Sequence, residues 1–313
     1  DRRVSARPSA SGRKRVNLAL QGGGAHGAFT WGALDALLED GRLDIAGISG
    51  ASAGAMNAVV LADGLREGGV DGARKQLEQF WRGVSLDGQM NDLQRSLFDA
   101  YLGAFDPLKF GERLMQGASS FLSPYDFNPL DINPLRAVIS RLIDFPALRA
   151  SDDLKLFIAA TSVRTGKIRI FRRPELTEEM LMASACLPTL FKAVEIAGEP
   201  FWDGGYSGNP PLFPFFTETD CLDVVLIQLD PIERMGTPDT AVEIMQRLNE
   251  ITFNAPLLAE FRAIDFVARL IDQGRLQGTH YKKIRMHVIE GGDALAAYRA
   301  DTKLQADYDL FRR

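Results

Sequence analysis

The chain has 313 residues, 46% of them hydrophobic and 25% charged, with a net charge of −5. These are globular values, and no run approaches the 18 or so apolar residues of a membrane span, so no membrane-spanning helix is expected. The length suits one large α/β domain with insertions, and the acidic body speaks against nucleic-acid binding.

In chain order, residues 1–15, "DRRVSARPSASGRKR", carry six basic residues against Asp1, a net +5 that leaves −10 on the other 298. Rich in Ser, Pro and Arg and without apolar periodicity, this segment is expected to be a disordered basic leader, with no h-region of a secretory signal. A single domain is expected over 16–313. Within it, short β-rich runs alternate with longer helical patterns: "VNLAL" (16–20) before "AFTWGALDALLED" (28–40), and "IAGIS" (45–49) before "AMNAVVLADGLREG" (55–68). That alternation predicts βα units and a mostly parallel sheet. Residues 90–135 differ in texture, with Phe98, Tyr101, Phe105, Phe110, Phe121 and Tyr125 among glycines and prolines and no strand signal. They read as a helical, aromatic-rich insert that caps the sheet or faces lipid. Further strands are predicted at 154–163, 167–172, 222–229 and 285–289. A packed helix is predicted over 254–274, where Leu257, Phe261, Ile264, Val267 and Ile271 recur at helical spacing.

Two glycine-rich stretches carry the chemistry. In "LALQGGGAHGAFTWG" (18–32), Gly22-x-Gly24-x-x-Gly27 literally satisfies the dinucleotide fingerprint. That fingerprint wants an acid at the end of the second strand, whereas Asp44 stands before it. The second strand instead leads into Gly50-Ala51-Ser52-Ala53-Gly54, a G-x-S-x-G pattern between a strand and a helix. Flanking glycines let the chain turn sharply there and hold the Ser52 hydroxyl out beside a helix N-terminus, which makes it a candidate nucleophile. Attack on an ester creates an oxyanion, and bare backbone N–H groups must already point at it. Gly22, Gly23 and Gly24 therefore read as an oxyanion hole, with the Ala53 N–H as a further donor. Downstream, "EPFWDGGYSGNPP" (199–211) places Asp203 after an apolar hairpin and before Gly204 and Gly205, a short acid at a tight turn.

Together these residues resemble the patatin-like phospholipase family. The likeness is ordered along roughly 15–230: "GGGAHG" (22–27) for the oxyanion loop, "GASAG" (50–54) for the nucleophile, and "ASACLPTLFKAVEIAGEPFWDGG" (183–205) for the block ending in Asp-Gly-Gly. The resemblance implies a three-layer α/β/α fold and a serine–aspartate dyad without histidine. Ser52 would be the nucleophile and Asp203 the proton acceptor, buried enough for its pKa to rise. Many relatives carry Arg where this chain has His26, which is expected to support the loop structurally.

Two rival readings stand beside this one. An α/β-hydrolase triad is available in chain order as Ser52, Asp203 or Asp230, and His280 or His287. A non-catalytic lipid-binding scaffold that keeps the fold is the other. The expected partner is a lipid or phospholipid ester, with contact to a peripheral membrane surface. No cofactor and no metal are expected, since the three histidines are unclustered. Cys186 and Cys221 have neither disulfide-framework nor metal-ligand spacing and read as buried thiols of a reducing, cytoplasmic compartment.

Overall fold

A computed structural model describes residues 12–85, 123–152, 154–279 and 281–291. Among them, eight strands form one sheet: β1 (Lys14–Leu20), β2 (Leu43–Gly50), β3 (Lys155–Ser162), β4 (Ile168–Arg172), β5 (Val194–Ile196), β6 (Glu199–Asp203), β7 (Asp223–Gln228) and β8 (Arg285–Glu290). Their order is β5-β6-β3-β2-β1-β7-β8, with β4 also paired to β3. The run β3-β2-β1-β7-β8 is parallel, while β4 and β6 lie antiparallel to β3. The helices are α1 (Gly27–Asp40), α2 (Ala53–Val84), α3 (Pro124–Phe127), α4 (Pro134–Leu142), α5 (Phe145–Ala150), α6 (Glu178–Ser184), α7 (Pro214–Glu218) and α8 (Ala241–Asp272).

Both faces of the central strands are covered, so alternate residues enter two different cores and the strands read as continuous apolar runs. On one face Leu18, Leu20, Ile48, Ile158 and Ile227 pack with residues of α1, α2, α4, α5 and α6. On the other, Ala19, Phe157, Ala159, Val224 and Leu226 pack with Leu212, Phe215 and Leu257, near α7 and α8. This is the three-layer α/β/α arrangement with a mostly parallel sheet.

Several boundaries differ from the sequence expectation. Lys14 and Arg15 belong to β1 rather than to a disordered leader, because they pair with Leu43 and Asp44 in the ladder. Lys14 also reaches the buried Asp223 carboxylate at 2.7 Å. The helix expected over 55–68 runs on to Val84, bending at Gly68 and Gly69, whose φ of −143° and 62° is not helical. The bend folds the second half back so tightly that a Cβ on Gly64 would sit 2.6 Å from Ala73 Cα. The helix expected over 254–274 starts earlier, at Ala241. Thr240 and Glu243 form a capping box there, and the helix continues through Pro256. Of the expected aromatic insert at 90–135, residues 90–122, with Phe98, Phe105 and Phe121, lie outside the described residues, as do residues 1–11.

Buried Asn57 locks the two helices that leave β1 and β2. Its Nδ2 donates to Gly27 O at 3.0 Å and Ala53 O at 3.1 Å, and its Oδ1 accepts from Trp81 Nε1 at 3.0 Å. Beneath this junction α2 crosses the end of β1 so closely that a Cβ on Gly54 would lie 2.1 Å from Leu20 O. Overpacking at such a site costs about 3 kcal/mol or more. Gly54→Ala should therefore lose at least that much in urea unfolding. Gly32→Ala, at an exposed position of α1 with nothing within 4 Å, should be stabilising by about 0.5 kcal/mol. Equal stability of the two variants would contradict the close crossing.

Candidate active site

The register of the sheet assembles the site. Ile227, Leu20, Gly50 and Ile158 form one row across β7, β1, β2 and β3. Two residues beyond that row are Gly22 after β1, Ser52 after β2 and Ala160 on β3, and Asp203 pairs with Ala160 from the antiparallel β6. Three segments far apart in sequence thus reach the same level at the C-terminal edge of the strands. Gly22 is so close to the serine that a Cβ on it would lie 2.7 Å from Ser52 Cβ.

Ser52 occupies the turn between β2 and α2 with φ 53° and ψ −127°, a left-handed conformation that costs a serine about 1–3 kcal/mol. Its N–H donates to both Ser184 O at 3.1 Å and Ser184 Oγ at 3.2 Å, which holds the turn. The residue is fully buried.

Asp203 is equally buried and is fixed through its backbone. Its N–H donates to Cys186 O at 2.8 Å, and its carbonyl accepts from Thr161 Oγ1 at 2.8 Å. On the side chain, Oδ1 accepts the Gly205 N–H at 2.7 Å, whereas Oδ2 and Ser52 Oγ each lack a partner of normal geometry. Burial pushes the Asp203 carboxyl up to about 7, with the Gly205 N–H and then the Ser52 hydroxyl pulling it partly back. The hydroxyl is therefore near enough to act on the acid while the contact is too long or misaligned to count as a hydrogen bond. Catalytic contacts of unliganded enzymes are often in that condition. Burial, then the Asp203 charge, also pushes the neighbouring Cys186 thiol up to about 12.

The glycine loop is tied on both sides. The Gly22 N–H donates to Asn209 Oδ1 at 2.7 Å, and Asn209 Nδ2 donates to Gly22 O at 3.3 Å. Of the three glycines expected as oxyanion donors, Gly22 thus has its N–H engaged. The N–H groups of Gly23 and Gly24 make no hydrogen bond among the described residues, and Ala53 is the first residue of α2, where N–H groups have no intrahelical partner. His26 follows in a short 3-10 turn, its N–H donating to Gly23 O at 3.2 Å. Gln21 anchors the other side, with Oε1 accepting from the N–H groups of Leu229 at 2.6 Å and Asp230 at 2.8 Å, and Nε2 donating to Asn254 Oδ1 at 2.8 Å.

Asn209, Gln21, Ser184 and Asn254 escaped the sequence reading, since nothing local marks an amide or hydroxyl that bonds to a segment 132 to 233 residues away. Of the two candidate triad histidines, His287 is not brought to Ser52. His287 pairs with Val225, and its Nε2 lies 2.9 Å from Asp223 Oδ1 at the N-terminal end of β7. That places it roughly 13 Å back along the strands and about 14 Å across them. His280 lies outside the described residues. Among the described residues no cluster of three His, Cys, Asp or Glu could hold a metal ion, and no helix is long and apolar enough to cross a membrane.

A buried serine on a strand-to-helix elbow, at the strand ends of a three-layer α/β/α sheet, defines the class of protein to which this chain is assigned. It belongs to the patatin-like phospholipase family, whose profile matches residues 18–216, and members of that family act on lipids. Among solved structures, the chain is similar to VipD from Legionella pneumophila at 16% identity and a TM-score of 0.41, over 97% of this chain and 69% of that one. It is also similar, at 18% identity and a TM-score of 0.30, to a chain in the complex of full-length SpcU with full-length ExoU, from the type III secretion system of Pseudomonas aeruginosa. That alignment covers 93% of this chain and 69% of the other. No curated protein sequence matches the chain.

The raised Asp203 pKa makes a stability prediction. The folded carboxyl holds its proton up to about pH 7, whereas the unfolded one releases it near 3.8. Wild-type stability should therefore fall as pH rises through that window, by a few kcal/mol at about 1.4 kcal/mol per unit. Asp203→Asn carries no charge to desolvate. In urea titrations it should exceed wild type at about pH 8, and the difference should vanish by about pH 4. A pH-independent difference would remove the buried-acid account.

Proposed function

We propose that the chain is a serine lipid acyl hydrolase of the phospholipase A or lysophospholipase type, with Ser52 and Asp203 as its catalytic dyad. The observation that carries this reading is the pairing of two buried, unpartnered atoms, Ser52 Oγ and Asp203 Oδ2, on an acid whose pKa is near 7. A carboxylate in that range is a far better base at neutral pH than one in water.

In the acylation half-reaction Ser52 Oγ forms a bond to the ester carbonyl carbon as its proton passes to Asp203. The N–H groups of Gly23, Gly24 and Ala53 receive the oxyanion, while Gly22 shapes the loop and His26 supports it. Collapse breaks the bond to the alcohol, which leaves with the proton from Asp203. Water then repeats the sequence on the acyl-enzyme and regenerates the serine. Gly27, Gly50, Gly54, Gly204 and Gly205 serve by leaving room: a Cβ on Gly205 would lie 2.4 Å from Phe253. One catalytic domain over 16–313, acting on lipid ester at a membrane surface without metal or cofactor, completes the reading.

The test is kcat/KM on a soluble p-nitrophenyl ester, with fluorophosphonate labelling. The label should map to Ser52, chelators should change nothing, and kcat/KM should rise with pH through about 7 as Asp203 loses its proton. Ser52→Ala and Asp203→Asn should each lose several orders of magnitude, while His287→Ala and His280→Ala should stay within about threefold of wild type. A histidine variant as inactive as Ser52→Ala would overturn the dyad in favour of a triad. A folded wild type that neither turns over nor takes the label would favour the lipid-binding scaffold.

A further inference from the structure

We infer that Asn209 is a positioning residue for ester hydrolysis, because its side-chain amide grips both peptide units around Gly22 and so sets the direction of the oxyanion donors. The inference rests on the dyad reading above. Asn209 Oδ1 accepts the N–H of the peptide joining Gln21 to Gly22, and its Nδ2 donates to the carbonyl of the peptide joining Gly22 to Gly23. In a trans peptide the C=O and N–H point in opposite directions. Holding Gly22 O therefore also aims the Gly23 N–H, one of the two glycine donors left unengaged. Glycine has no side chain to restrict these peptide planes, so the clamp supplies a restraint the residues themselves lack.

The clamp is itself well anchored. Asn209 is fully buried, and the chain just beyond it is pinned twice: Ser49 Oγ donates to Pro211 O at 2.5 Å, and the Leu212 N–H donates to Glu260 Oε2 at 2.8 Å. Asn209 lies six residues after Asp203. The loop that delivers the base therefore also fixes the loop that meets the oxyanion, and the two halves of the site cannot drift independently. Pre-set donors matter because reorienting them during the reaction would add to the barrier.

The experiment compares wild type, Asn209→Leu and Asn209→Asp on one soluble ester, with active sites counted by fluorophosphonate titration. Leucine is similar in shape but makes neither bond. Per titrated site, kcat should fall on the order of 10- to 100-fold with little change in KM. Affinity for a trifluoromethyl ketone, which forms a tetrahedral adduct, should fall in parallel. The ionised Asn209→Asp side chain can accept from the Gly22 N–H but cannot donate to Gly22 O, whereas its protonated form can do both. Its activity relative to wild type should therefore recover as pH falls. A structural role alone would lower the melting temperature or the number of titratable sites and leave kcat per site and inhibitor affinity unchanged; that result overturns the inference. If Asn209→Leu fails to fold, a pH-independent activity ratio for Asn209→Asp overturns it. A wild type that takes no label removes the dyad reading first, and this inference with it.

Discussion

Two loops leaving adjacent parallel strands meet at Gly22 and Ser52 with no space for a side chain between them, and the rest of the site is arranged around that contact. A Cβ on Gly22 would fall 2.7 Å from Ala51 O as well as from Ser52 Cβ. The approach follows from the register that sets Leu20 opposite Gly50, so each loop begins at the same height. It also requires α2 to start beneath the end of β1, which Gly54 permits, and α1 to start beside it, which Asn57 enforces. Two helix N-termini then converge on one point, and their partial positive charges favour an anion there.

Against that favourable field stands the cost of the acid. Asp203 is buried with one carboxylate oxygen satisfied by a single N–H and the other left without a partner beside an unpartnered hydroxyl. Each unsatisfied group costs about 1–3 kcal/mol, and the left-handed Ser52 adds a similar amount. The surrounding structure over-determines both residues: Ser184 holds the Ser52 N–H, while Cys186 O and Thr161 Oγ1 hold the Asp203 backbone. The strain is thus local, and it is offset by the two cores on either side of the sheet.

How much of this was legible in the sequence depends on the range of the contact. Short apolar runs and helical periodicity reveal β1, β2, β3, β7 and β8 within a residue or two, because run composition and 3.6-residue spacing are local properties. Ser52 and Asp203 stand out because glycines mark sharp turns beside them. The start of β1 at Lys14 was hidden, since basic, polar residues gain their strand pairing only from Leu43 and Asp44. The engaged Gly22 N–H was hidden as well. Three consecutive glycines look like three equivalent donors, and only a side chain 187 residues away distinguishes the first from the others.

The longest-range support comes from α8, beyond the residues that match the family profile. Over two turns of one helix, Phe253 packs against Gly205, Asn254 bonds to Gln21, Leu257 enters the core, and Glu260 accepts from the Leu212 N–H. These positions recur at three- and four-residue spacing on one face. In the sequence that face reads only as an amphipathic helix. In the fold it contacts the glycine loop, the aspartate turn and the segment after Asn209 at once. Burial holds the Glu260 carboxyl up to about 7 as well, so the helix meets the site with a desolvated acid of its own, held by backbone N–H groups. The family profile ends at residue 216 and so includes Gly22, Ser52 and Asp203, yet the helix face that holds their three loops in one frame, Phe253 to Glu260, lies about forty residues further on.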